Sequence, residues 1–93
     1  MPKYYPYKVA GYYLYFTSHC LIEAMHVHAG NEEQSEQTAA KFFVLADGST
    51  RLMSRGELND RAILKVQKFI KQNYLSMYDK WCKYSDYGFY VGE

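Results

Sequence analysis

The sequence predicts an α+β fold: a small, curved, mainly antiparallel sheet of about four or five strands, with one broken or two short C-terminal helices packed on it. Three observations carry this reading. The first half holds short runs of aromatic and β-branched residues separated by turn residues. Asp47-Gly48, a strong hairpin signal, sits between two apolar runs. From Ser54 onward the apolar spacing changes from period two to the helical 3.6.

The elements follow in order. Residues 4–18, "YYPYKVAGYYLYFTS", hold two aromatic-rich runs around Gly11. Residues 12–17 are aromatic or β-branched apart from Leu14, which favours a strand. Period two places Tyr12, Leu14 and Phe16 on one face and Tyr13, Tyr15 and Thr17 on the other. Both faces are aromatic, so both call for a cover. Residues 23–29 fit a second strand, with Met25, Val27 and Ala29 alternating against Ala24, His26 and His28. Residues 31–37, "NEEQSEQ", have no structural period and form an exposed acidic loop. Runs 42–46 and 50–53 then make the hairpin.

"SRGE" at 54–57 matches a capping box, while Asn59 and Asp60 are equally good helix caps after Leu58. Ile63, Val66, Phe69 and Ile70 follow helical spacing, with Arg61, Lys65, Lys68 and Gln72 on the opposite stripe. "KQN" at 71–73 is a plausible break before a second apolar face of Tyr74, Met77, Tyr78 and Trp81. Residues 85–93 form an extended tail able to dock as an edge strand. No repeat or linker is visible, so residues 1–93 form a single domain. The expected core is Phe16, Val27, Phe43, Val44, Ile63, Val66, Phe69, Ile70 and Trp81.

Composition narrows the function. With 48% hydrophobic and 18% aromatic residues, the chain has enough apolar surface to fold. Its eleven tyrosines suit half-buried surfaces and binding faces alike. A net charge of +1 argues against a globally basic nucleic-acid binder, but the charge is unevenly spread. Residues 51–83 hold eight Lys and Arg against three carboxylates, while both flanks are net acidic. Such a basic face fits phosphates, an acidic protein or plain solvent. Two cysteines, Cys20 and Cys82, are too few for a disulfide framework, and "MPKYYPYKV" is too polar for a signal peptide. No apolar run approaches the ~20 residues needed to cross a bilayer. The expectation is a cytoplasmic protein with reduced thiols and no membrane partner.

"EAMHVHAG" raises the question of a metal. On a strand, His26 and His28 share a face about 7 Å apart. A zinc site would need a third ligand, for which His19, Cys20 and Glu23 are candidates on the preceding turn. His/His/Cys suits zinc, and His/His/Glu suits iron or manganese. The alternative is a packed strand whose imidazoles bond to backbone carbonyls beside the tyrosines. The pair has neither zinc-finger spacing nor a helical H-E-x-x-H. Walker, Rossmann, G-x-S-x-G and EF-hand patterns are absent as well.

The succession "MPKYYPYKVAGYYLYFTS", "MHVHA", "AAKFFVL" and "LNDRAILKVQKFIKQNYLSMYDKWCKY" resembles a small bacterial family known as domain of unknown function 4160. The likeness covers about residues 1–84. Its most specific elements are His26-Val27-His28 and the Phe69-Ile70, Trp81, Tyr84 spacing. Between Ser18 and Met25 this chain has "HCLIEAM", where the family usually carries a further His and one or more prolines. The resemblance implies a compact α+β fold, a prokaryotic or phage source, and relatives encoded beside another small protein, as in toxin–antitoxin pairs.

These readings favour a non-catalytic interaction module of prokaryotic or phage genetic conflict over an enzyme. It would be a toxin–antitoxin component or a phage-type inhibitor of a defence complex. The partner is RNA, a ribonucleoprotein or an acidic protein, and no cofactor is needed. Arg51, Arg55, Arg61, Lys65, Lys68 and Lys71 would meet that partner, with Tyr13 and Tyr15 as aromatic contacts. The alternative is a metal-dependent nuclease or hydrolase built on a divalent ion at His26 and His28, with His19 and Glu23.

Overall fold

Alternation along the aromatic and His-Val-His segments decides which side chains enter the core. In a computed structural model, which describes residues 3–16, 24–31 and 39–91, four strands form one antiparallel meander. They are β1 (Tyr13–Tyr15), β2 (His26–Gly30), β3 (Ala40–Val44) and β4 (Thr50–Ser54), and a single helix, α1 (Asp60–Cys82), follows them. The fold is α+β with an open sheet, and the acidic residues 32–37 lie outside the described residues.

Register sorts the side chains into two sets. Leu14 faces Ala29, and Val27 faces Phe42, which in turn faces Leu52. All but Leu52, which packs partly buried against them, join Ile63, Val66, Ile70, Met77 and Trp81 of α1 in the hydrophobic core. The intervening positions pair Tyr15 with His28 and His26 with Phe43. They too are buried, so the second face of the sheet is covered as the aromatic alternation requires. Of the expected core, only Phe69 is partly exposed, packed beneath the Tyr5 and Tyr7 rings.

The first strand is shorter than expected because Tyr12 turns back. Val9 and Tyr12 exchange both backbone hydrogen bonds, at 2.7 and 3.0 Å, across Ala10 and Gly11. Both turn residues take positive φ, 55° and 89°. This is the two-residue turn whose twist matches its strands. The preceding segment thereby lies against β1, with Tyr4 donating its N–H to the Leu14 carbonyl at 2.8 Å. At the Asp-Gly hairpin, Leu45 accepts from the Gly48 N–H and donates to the Ser49 carbonyl. Gly48 has φ of +86° and lies under the Tyr74 ring.

Asn59 is the helix cap: its side-chain oxygen accepts the Ala62 N–H at 2.8 Å. "SRGE" precedes the helix and does not cap it. The expected break at 71–73 is absent, and α1 runs unbroken for 23 residues. Ile63, Val66, Ile70, Met77 and Trp81 keep one continuous buried stripe through that point. Lys71 and Gln72 are good helix formers, and Asn73 turns its amide onto the Phe69 carbonyl at 2.9 Å. Nothing there opposes helix.

The tail docks. Met25 donates to the Gly88 carbonyl at 2.9 Å, and Tyr90 donates to Val44 at 2.8 Å, making one parallel bridge with Leu45. Phe89 stacks on Tyr78 at 3.9 Å. No helix among the described residues is long and apolar enough to cross a membrane.

Candidate nucleic-acid interface

The basic residues divide by what they touch. Arg61, Lys65 and Lys68 stand exposed along α1 at i, i+4 and i+7, and none forms an ion pair among the described residues. Arg61 and Lys65 border a cleft of about 230 Å³, together with Tyr12, Ala10 and Asn59. Ala10 of the turn lines it, so a backbone feature of the N-terminal hairpin shapes the surface beside the helix cations. Tyr12 was not among the residues expected at the site. The sequence signal that marks it is the glycine that turns the chain just ahead of it.

Arg55 and Lys71 are engaged elsewhere. Arg55 reaches Asp60 at 2.8 Å in an exposed ion pair at the helix N-terminus. Such a pair contributes little stability, about 0–1 kcal/mol, but it offsets the charge that Arg55 would offer a partner. Lys71 donates to the Asp47 carbonyl at 2.7 Å, tying the helix to the hairpin turn. Arg51 is exposed on β4, opposite Phe43.

The two aromatic candidates fare differently. Tyr13 is half-buried, with the Lys3 ammonium 4.0 Å and the Lys8 ammonium 5.4 Å from its ring centre. It sits among cations that the sequence reading did not connect with it. Tyr15 is 1% exposed and its ring stacks on His28 at 5.4 Å. Tyr15 is thus placed inside the sheet's buried face rather than at the surface.

The histidines belong to a ladder of rings. Tyr15 stacks on His28; His28 meets His26 edge-to-face at 5.2 Å; His26 meets Phe43 at 5.5 Å; and Phe43 stacks on Tyr90 at 4.2 Å. The His26 Nδ1 lies 3.0 Å from the Ala24 carbonyl, and the His26 carbonyl accepts the Tyr4 hydroxyl at 2.9 Å. Both imidazoles are buried. The structure therefore brings the expected pair together. His19, Cys20 and Glu23 lie outside the described residues, among which no group of three or more His, Cys, Asp or Glu is placed to hold a metal.

Two titrating groups are shifted by local bonds. Hydrogen bonds from the Ser49 hydroxyl and N–H hold Asp47 below the usual carboxylate value. A hydrogen bond with the Cys82 thiol pushes the Tyr78 hydroxyl upward. Neither group faces the Arg61–Lys65–Lys68 stripe.

A four-stranded meander backed by one long helix, with an aromatic ladder on one face and exposed cations along the helix, defines a small α+β domain with a basic helical surface. The chain belongs to the family described as domain of unknown function, DUF4160, whose profile matches residues 11–82. The match begins at the Gly11 turn and ends at the last residue of α1, so it spans the sheet and the helix together. Searches of curated proteins and of solved structures return no match.

Proposed function

We propose that this protein is a non-catalytic interaction module that binds RNA, alone or within a ribonucleoprotein, through the Arg61–Lys65–Lys68 stripe. The observation that carries the reading is the contrast within the basic region. Arg55 and Lys71 are spent on intramolecular contacts, whereas the three stripe cations are exposed and two of them, Arg61 and Lys65, border the Tyr12 cleft. Side chains held at helical spacing match the regular charge of a phosphate backbone, and the adjacent ring offers a stacking surface. The charge asymmetry favours the same partner: a concentrated positive face on a chain of net charge +1 steers one side toward a polyanion. Family membership and small size fit a component of prokaryotic or phage genetic conflict, acting by occupying a partner's surface. Affinity capture from a native host tests this reading. RNA or a ribonucleoprotein should be recovered and released by nuclease or salt. Recovery of an acidic protein free of nucleic acid would replace the RNA reading, and recovery of a small metabolite alone would end it.

A second reading keeps the His26–His28 pair as part of a metal-dependent hydrolase. The approach of the two rings to 5.2 Å favours it. Elemental analysis of protein purified without a histidine tag decides. A stoichiometric divalent metal, lost in the His26→Ala, His28→Ala double variant, would support hydrolysis; a metal-free protein would leave the pair as packing.

A further inference from the structure

The second basic cluster lies at the other end of α1, where the N-terminal segment crosses the helix. A cleft of about 600 Å³ opens there, within the range of about 300–1,000 Å³ typical of small-molecule sites. Its floor is apolar, with Phe16 and Tyr4 buried. Its lining among the described residues holds three lysines, Lys3, Lys80 and Lys83, and no carboxylate. Two of its aromatic walls, Tyr5 and Tyr84, reach the surface.

The parts are held in position before any ligand arrives. Lys80 donates to the Tyr4 carbonyl, and its ammonium lies 3.9 Å from the Tyr5 ring centre. The Tyr5 hydroxyl is anchored to Ser76 of the helix at 2.9 Å. Tyr84 packs edge-on against Phe16 at 5.4 Å yet remains 56% exposed. It therefore presents ring surface to solvent while one edge rests on Phe16. Lys83 closes the helix and is exposed.

From these features we infer that the Lys3–Lys80–Lys83–Tyr84 cleft binds a nucleotide, its base against the Tyr84 ring and its phosphate among the lysines. The class follows from the combination. Cations alone would suit any anion, and exposed rings alone any planar apolar group. A flat base carrying a phosphate uses both, and stacking on an aromatic ring tolerates any base. An acidic peptide satisfies the lysines but leaves the Tyr84 face without a planar partner. The inference does not rest on the helix stripe: Lys68 and Lys80 are about 18 Å apart by helix rise, beyond the span of a mononucleotide.

The test is calorimetric and NMR titration of the whole protein with AMP and UMP, with adenosine and ribose 5-phosphate as the separated halves. AMP should shift resonances of residues 3–5 and 80–84 and bind more tightly than either half. Tyr84→Ala and Lys83→Gln should each weaken AMP by roughly tenfold, while Tyr84→Phe, which keeps the ring, should bind nearly as the parent does. Both altered side chains are exposed, and an unchanged circular-dichroism melt confirms that the variants fold. A single-stranded oligonucleotide that shifts the same residues 3–5 and 80–84 and loses affinity in Tyr84→Ala, while binding much more tightly than AMP, identifies the ligand as part of a strand; equal affinity at those residues identifies a free nucleotide. Either supports the site. No AMP binding, equal binding in Tyr84→Ala and Lys83→Gln, or stronger binding of an acidic peptide than of any nucleotide overturns it. A negative result here leaves the stripe reading intact, because the stripe shares none of residues 3–5 and 80–84 with this cleft.

Discussion

The indole N–H of Trp81 donates to the carbonyl of Tyr87 at 2.7 Å, joining the last turn of the helix to the docked tail. Trp81 is wholly buried and also contacts Phe16 and the His26 ring. One side chain thus ties helix, sheet and tail together. Trp81→Ala should cost about 3–5 kcal/mol, most of the stability of a domain this small. Trp81→Phe keeps much of the packing but strands the carbonyl, and should release the tail first. Limited proteolysis between residues 85 and 91 and a urea melt read the two effects. A Trp81→Ala variant with unchanged melting would contradict this packing.

Two positive-φ positions should respond in opposite directions. Ala10 sits at φ 55° in the two-residue turn, a conformation that costs a residue with a Cβ about 1–2 kcal/mol unless it is Asn or Asp. Ala10→Asn should therefore raise stability by roughly 0.5–1 kcal/mol. Gly48 has φ of +86°, and a Cβ there would lie 2.5 Å from the Tyr74 ring. Gly48→Ala should lose at least about 1 kcal/mol and displace Tyr74. Chemical denaturation of both variants checks the signs.

Asp47 supplies a pH signature. The Ser49 hydroxyl and N–H, 2.5 and 2.9 Å from its Oδ1, hold its pKa below 3.8 in the folded chain. A depressed folded pKa stabilises above the unfolded value, and that contribution fades as pH falls through the folded pKa. The carboxylate is exposed, so the effect on stability is small. Ser49→Ala should move the Asp47 titration upward toward 3.8, read by carboxyl NMR between about pH 2 and 5. An unmoved titration would mean that the Ser49 hydroxyl does not hold this carboxylate.

Much of the fold was legible because period and turn chemistry are local. The Asp47-Gly48 hairpin, the alternation through Leu14 and Phe16, and the Ile63–Val66–Ile70 stripe all stand in the structure. The unbroken helix was less so: "KQN" is polar, and only packing of Met77 and Trp81 onto the same core shows that it need not break. The turn was only half marked: Gly11 signals it, but an alanine in the left-handed region, as at Ala10, carries no sequence signal. The site was half legible. Helical spacing marked Arg61, Lys65 and Lys68, but which cations are spent elsewhere depends on partners distant in sequence. Lys71 finds Asp47 across 24 positions. The Lys3, Lys80 and Lys83 cluster has the same origin, since folding alone joins the first residues to the last turn.

The central claim, that the Arg61–Lys65–Lys68 stripe contacts phosphates, is tested most directly by titrating RNA at two salt concentrations. Wild type is compared with the Arg61→Gln, Lys65→Gln, Lys68→Gln variant, with folding verified by thermal melt. If each side chain neutralises one phosphate, the variant should bind more weakly on every sequence, and the slope of log affinity against log salt should fall by about two to three units. Equal affinity and equal slope in wild type and variant would contradict the account and return the stripe to solvent.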